Sequence, residues 1–218
     1  MFRVLRLRAG ARVTGFDGEG REYSGVLSVL DAHAGRLHIT QVVTVPPPEL
    51  PEICLAPALI RPDAFAWIIQ KATELGADRL LPLVADHCTR TDARDASPCR
   101  RMRWERIARE SLKQCGRNHR LQIAEPVSSR ELLGNPPGGE AWLCHPAEAE
   151  PLLADAAEGQ RPMRVIVAVG PEGGWSEDEV SIARSAGFRP VHLGQYVLRA
   201  ETGALAALSL VMSRWRWR

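Results

Sequence analysis

Apolar and polar positions alternate in short runs over the first forty-odd residues, and then the rhythm changes. "RVLRLRAG", "ARVTGFDGEG", "REYSGVLSVLDAHAG" and "RLHITQVVTV" alternate apolar with polar side chains, and Asp-Gly and Ala-Gly breaks fall between the runs. A period of two marks half-buried strands, and glycine turns between such runs predict a small β-sheet or β-barrel. "VPPPELP" (Val45–Pro51) follows. Proline has no N–H for a sheet ladder, so this stretch reads as a stiff linker and a domain boundary.

After the linker, strand-like and helix-like segments take turns. "EICLAPALI", "DRLLPLVAD", "RLQIAEP", "AWLCHP", "RVIVAVG" and "PVHLGQ" read as strands. Between them, "DAFAWIIQKATELG" carries an apolar helical stripe through Phe65, Ile68, Ile69, Ala72 and Leu75, ended by Gly76. "CRRMRWERIARESLKQCG" is a second helix, ended by Gly116. Shorter helices are expected near Ser129–Leu133, in "AEAEPLLADAA" and from Ser176, with a final one from about Glu201 to Arg214. Repeated β-α units predict an α/β fold, with a mainly parallel sheet and helices on both faces.

Composition narrows the possibilities. With 218 residues, 45% hydrophobic and 25% charged, the chain has enough for one large domain, or one ordinary and one small. No apolar run reaches the roughly 20 residues that span a bilayer, and the start lacks a secretory signal, so a cytoplasmic protein is expected. Five scattered cysteines without a C-x-x-C pair, and six histidines without a ligand spacing, argue against a metal site.

Charge matters more in its distribution than in its sum of +2. From Cys88 to Arg120 nine arginines and Lys113 face four acids, whereas from Leu121 to Pro190 eleven acids face five arginines. A basic segment of this kind is either a solvated helix face or a surface for a polyanion.

Two glycine turns hold the candidate chemistry. "VIVAVGPEGGWSEDEV" (Val165–Val180) runs from a buried strand through Gly170–Trp175 into a helix whose Ser176 and Glu179 form a capping box. Helix punctuation explains Ser176 but not three glycines in five residues, which allow positive φ and a close ligand. The loop has neither G-x-G-x-x-G nor G-x-x-x-x-G-K-[ST], and Glu172 would repel a phosphate. An adenosine with a cationic sulfonium, S-adenosylmethionine, suits it better. The second turn lies in "VHLGQYVLRAETGALAAL" (Val191–Leu208), where Arg199 and Glu201 flank a helix start. A plain end-of-helix salt bridge is the competing account.

Together the two turns resemble the last motifs of the trefoil-knot (SPOUT) RNA methyltransferases. More narrowly, they are similar to the bacterial 16S ribosomal RNA uridine-N3 methyltransferases. That family's "IGPEGG-F-S-x-x-E" stands here as "VGPEGGWSEDE", and its "LG-x-R-V-L-R-T-E-T-A" as "LGQYVLRAETG". "WIIQKATELGADRLLPL", "RWERIARESLKQCGRN" and "LCHP" extend the likeness along the chain. Tyr196, Ala200 and Gly203 depart from the family pattern, which has arginine, threonine and a bulkier residue there.

The resemblance implies a PUA-like RNA-binding β-barrel over residues 1–46, short of the family's usual first strand. It implies a knotted methyltransferase domain over residues 52–218, a homodimer, and 16S rRNA as partner, with neither membrane nor metal. The cofactor would lie among three loops. Leu143 and His145 form the first, and Val169, Gly170, Pro171, Glu172, Gly173 and Gly174 the second. The third holds Leu193, Gly194, Val197, Leu198 and Arg199, with Thr202 and Ala204 behind them. Arg199 is the expected charge stabiliser, and Glu201 and Glu172 are alternative proton acceptors. Arg3, Arg6, Arg8, Arg100, Arg101, Arg103 and Arg117 are the expected phosphate contacts. Two rivals keep the same turns: a related enzyme acting on ribose 2′-O or a tRNA guanine, and a non-catalytic rRNA-binding assembly factor.

Overall fold

The computed structural model describes residues 8–29, 35–89, 98–145, 150–151 and 161–217. It divides into two units, Met1–Pro47 with Gly116–Arg120, and Pro48–Cys115 with Leu121–Arg218.

In the first unit, β1 (Arg12–Phe16), β2 (Arg21–Val29) and β3 (Gly35–Thr44) form an antiparallel sheet in the order β1-β2-β3. Asp17 closes the β1–β2 turn by accepting from the N–H groups of Glu19 and Arg21 at 2.7 and 3.1 Å. These bonds hold its carboxyl below the usual carboxylate range. The segment Gly116–Arg120 returns to this sheet: the Gly20 N–H donates to the Asn118 carbonyl at 3.0 Å, and the Arg120 N–H donates to Gly18 at 2.9 Å.

The second unit is built on seven strands: β4 (Glu52–Pro57), β5 (Arg79–Leu80), β7 (Gln122–Ile123), β9 (Glu140–Cys144), β10 (Glu150–Pro151), β11 (Arg164–Val169) and β12 (Arg189–His192). Their order is β10-β12-β9-β11-β4-β5-β7, and every neighbouring pair is parallel. A two-strand ladder pairs β6 (Leu83–Val84) with β8 (Val127–Ser128). The helices are α1 (Pro62–Leu75), α2 (Pro98–Cys115), α3 (Ser129–Gly134), α4 (Glu177–Ser185) and α5 (Ala200–Trp215).

Alternation along the central strands sorts side chains to two faces. Ile53, Leu55, Val165, Val167 and Trp142 point to one face and pack with Phe65, Ile69 and Leu208 of α1 and α5. Cys54, Ala56, Ile166, Ala168 and Leu143 point to the other, toward Leu133 and Ala183 of α3 and α4. Both faces are buried, which is why these strands read as nearly continuous apolar runs.

Three details differ from the sequence pattern. "DRLLPLVAD" is not one strand: Pro82 separates β5, in the large sheet, from β6, in the small ladder. "RLQIAEP" likewise ends at Ile123, and β8 begins after Pro126. Within "AEAEPLLADAA", Glu150–Pro151 is a strand beside β12 rather than helix; the rest of that stretch outside 150–151 lies beyond the described residues. Two adjacent residues with a proline are enough for a parallel edge but a poor start for a helix interior.

Candidate active site

Three neighbouring strands, β12, β9 and β11, finish level with one another. Cys144, at the end of β9, pairs with Val169 of β11 on one side and Val191 of β12 on the other. The loops leaving these ends therefore rise together from the carboxyl edge of the sheet, where open α/β folds collect ligands. They enclose a cleft of about 210 Å³.

Its first wall is the β11–α4 turn. Val169, Gly170, Pro171, Glu172 and Gly174 line it. The three glycines here have structural reasons that differ. A Cβ on Gly170 would stand 3.1 Å from the Trp175 indole, and one on Gly173 would stand 2.9 Å from the His87 Cβ. Gly174 has φ +73°, a left-handed value that costs other residues energy. Packing thus accounts for Gly170 and Gly173, and the positive φ that the sequence allowed for is found at Gly174; Gly170 and Gly174 also line the cleft. Trp175 is buried, and its indole N–H donates to the Cys144 carbonyl at 3.1 Å, tying this turn to the end of β9.

The capping box of α4 is present with both of its bonds: the Ser176 hydroxyl accepts from the Glu179 N–H, and the Glu179 carboxylate accepts from the Ser176 N–H. Glu179 is fully buried. Its other oxygen accepts from the Asp86 N–H at 3.1 Å and the Ser129 hydroxyl at 2.5 Å. Asp86 in turn accepts from the Ser176 hydroxyl at 2.7 Å and from Arg130 at 2.6 Å. The Arg130 guanidinium, followed by that hydroxyl, holds the Asp86 carboxyl below the usual range.

The second wall is the β12–α5 loop, with Leu193, Gly194, Val197, Leu198 and Arg199 facing the cleft. Here side chains stand in the open: Tyr196 is 75% exposed and Val197 87%. Arg199 is the N-cap of α5, exposed, and has no ion-pair partner among the described residues. A bridge between Arg199 and Glu201, the competing account of this helix start, is not among the ion pairs of the described residues.

The floor is Cys144 and His145. Burial pushes the Cys144 thiol up to about 12, so it is a neutral thiol at ordinary pH and a poor nucleophile. The Gly194 N–H donates to His192 Nδ1 at 3.1 Å, which leaves that nitrogen without a proton.

Of the three candidate catalytic residues, Arg199 and Glu172 line the cleft and Glu201 does not. Glu172 lies 3.8 Å from Arg61, which precedes α1. Glu201 keeps a buried Oε2 without a hydrogen-bond partner. Leu143 and Ala204 are fully buried in the core, Thr202 is exposed outside the cleft, and Gly173 faces His87. Conversely Trp175, Tyr196 and Gly203, which are not among the expected cofactor contacts, line the cleft. In the sequence, the one signal for Trp175 is its place after two glycines.

The basic candidates divide as well. Arg100 is buried, with its guanidinium over the Trp104 ring at 5.0 Å, and Trp104 packs on Phe65. A side chain so placed is not a surface contact for phosphate. Arg101 pairs with Glu105 and Glu125, and Arg103 with Asp63 at 3.3 Å. Arg106 and Arg109 of α2 are exposed and carry no ion pair among the described residues. Arg8 is exposed, Arg117 is half-buried in the first unit, and Arg3 and Arg6 lie outside the described residues. No group of acids, histidines and cysteines that would hold a metal is found among the described residues.

A model of the RNA methyltransferase domain matches residues 48–212. The chain belongs to this RNA methyltransferase family. Within it, the ribosomal RNA small subunit methyltransferase E of Synechocystis is 34% identical over 96% of this chain and 68% of its own length. The enzyme of the same name from Mycobacterium bovis is 32% identical over 97% of this chain and 83% of its own. The solved ribosomal RNA small subunit methyltransferase E from Neisseria gonorrhoeae, bound to S-adenosyl methionine, aligns with TM-score 0.85 and 30% identity. That alignment covers 98% of this chain and 87% of the Neisseria chain. The match to this methyltransferase fold thus takes in both units of the chain.

Proposed function

We propose that this RNA methyltransferase family member uses S-adenosylmethionine to methylate N3 of a uridine in 16S ribosomal RNA. The observation that carries the reading is the cleft at the level ends of β9, β11 and β12, with Arg199, which has no ion-pair partner among the described residues, on its wall. The cleft fits such a cofactor. It mixes apolar side chains with the backbone of glycine turns, presents the carboxylate of Glu172 to a cation, and its one thiol is neutral.

When bound, the cofactor supplies an electrophilic methyl group on sulfur. N3 lies on the pairing edge of uracil, so the base must leave any duplex before it reaches the cleft. The N3 proton passes to the carboxylate of Glu172, the candidate acceptor that faces the cleft. Loss of that proton leaves negative charge on N3 and the uracil oxygens, which Arg199 meets; the bound cofactor would supply the methyl group that N3 takes up and would leave as the neutral thioether. The surrounding loops add alignment of donor and acceptor.

On the same reading the first unit, with its antiparallel sheet, is part of a PUA-like barrel that grips RNA, with Arg8 and Arg117 among its contacts. The second unit is a knotted SPOUT domain that works as a homodimer in the cytoplasm. Arg101, Arg103, Arg106 and Arg109 meet rRNA phosphates; exposed ion pairs such as those of Arg101 and Arg103 are weak enough to exchange for them. The described helices include none long and apolar enough to cross a membrane.

The test combines cofactor titration with methyl transfer to small ribosomal subunits and mass mapping of the product. Wild-type protein is expected to mark one uridine at N3. Arg199→Ala is expected to lower kcat by about 10²–10³-fold, as for loss of one charge-stabilising donor, with cofactor affinity changed less than about twofold. Label on tRNA or on a ribose oxygen would assign the chain to another branch of the family. Absence of cofactor binding would make it an rRNA-binding assembly factor.

A further inference from the structure

The two consecutive glycines of the first wall raise a mechanical problem. Gly173 and Gly174 are the residues least able to hold a backbone shape, because neither has a Cβ to restrict φ. The peptide planes around Gly174 are free to rotate at little cost, and each rotation reverses a carbonyl and the N–H across it. One bond within the turn, from the Gly174 N–H to the Pro171 carbonyl at 2.9 Å, resists this on one side only.

A residue from a distant part of the chain supplies the rest. The Nδ1 of His87, in the loop after β6, lies 3.0 Å from the Gly173 carbonyl and 3.2 Å from the Gly174 carbonyl. Carbonyls only accept, so Nδ1 carries the proton and donates to both. His87 itself does not line the cleft. With both carbonyls turned to it, the N–H groups of Gly174 and Trp175 point the opposite way. The His87 Cβ also rests against Gly173, at the spot where a Cβ on that residue would collide.

His87 is in turn held by its neighbour. The Asp86 N–H donates to buried Glu179, and the Asp86 carboxylate is held by Ser176 and Arg130. The loop after β6 is thereby fastened to the start of α4, the helix into which the glycine turn feeds.

We propose that His87 is a positioning residue for cofactor binding, which pins the Gly173–Gly174 peptide planes so that the turn meets S-adenosylmethionine preformed. The proposal rests on the cofactor assignment above. The affinity of the free turn would be divided among its flipped forms, since only the competent fraction binds.

A series at this one position tests it in the full-length protein. Asn places an N–H donor where Nδ1 stands, Ala removes it, and Asp substitutes an acceptor that faces two carbonyl oxygens. Cofactor dissociation constants, measured by calorimetry, are expected to order His ≈ Asn < Ala < Asp. Loss of one such bond gives about fivefold for His87→Ala. The KM for cofactor should follow, with kcat at saturation within about twofold and Tm nearly constant. Hydrogen exchange of the peptide spanning residues 170–176, measured without cofactor, should quicken in His87→Ala and recover in His87→Asn. Equal affinities across the series, or affinity lost only in step with Tm, or failure of Asn to restore exchange protection, would overturn the proposal. Wild-type protein that binds no cofactor, with the exchange pattern as expected, would refute the cofactor assignment while leaving the pinned turn in place.

Discussion

The two walls of the cleft are made in opposite ways. The β11–α4 turn is held from outside by His87, Glu179 and the Asp86–Arg130 pair, and its own Trp175 reaches out to the Cys144 carbonyl, so most of its anchoring groups belong to other elements. The β12–α5 loop presents Tyr196, Val197 and Arg199 to solvent, and its clearest internal tie is the bond from Gly194 to His192. One wall is preformed. The other keeps its chemistry exposed, as a surface does when its partner is a large substrate rather than the rest of the protein.

This contrast is most easily broken at Glu179. Glu179→Ala removes a buried carboxylate that accepts from two backbone N–H groups and the Ser129 hydroxyl, and it leaves those donors without partners. A loss of about 2–4 kcal/mol in unfolding free energy is expected, read from denaturant melts, together with weaker cofactor binding. Stability unchanged within experimental error would mean that the first wall is not held in this way.

A gentler probe is pH. The Asp86 carboxyl is lowered by Arg130 and Ser176, so the folded state prefers the ionised form. Its contribution is fully present above the ordinary aspartate range and is lost as pH falls through the lowered folded value. Melting temperature and cofactor affinity should both decline below about pH 4, where unperturbed aspartate protonates, and Asp86→Asn should flatten that part of the profile. An Asp86→Asn profile that overlays wild type would remove Asp86 from the account.

The smallest expected effect belongs to the second wall. Tyr196 is 75% exposed, so Tyr196→Ser should shift unfolding free energy by no more than about 0.5 kcal/mol. Its consequences should appear in turnover on ribosomal subunits instead. A large fall in Tm would show that the exposed loop is also a structural element, and the two walls would then be alike.

What the sequence reveals of this molecule depends on the range of the interaction. The capping box of Ser176 and Glu179 is local and stands as its spacing implies. The strands of the central sheet are legible because burial on both faces leaves a continuous apolar record. Range is also why other features escape the pattern. Nothing in "RNHR" announces that Gly116–Arg120 returns to the first unit. Arginine counts cannot tell Arg100, folded over Trp104, from exposed Arg106 and Arg109 two turns along the same helix. Glycines invite a ligand in any reading of "GPEGG", yet Gly170 and Gly173 are fixed by Trp175 and His87, the latter 86 positions away.

The order of strands also sets an order in time. β9, the first of the three floor strands to be synthesised, ends in the middle, with β11 and then β12 laid on either side of it. The lining spans Cys144 to Gly203, so a growing chain that has passed α4 but not β12 has the residues of one wall and no cleft. The second wall is the later of the two to be made, and the residues of the cleft are complete only once the first turn of α5 has been added.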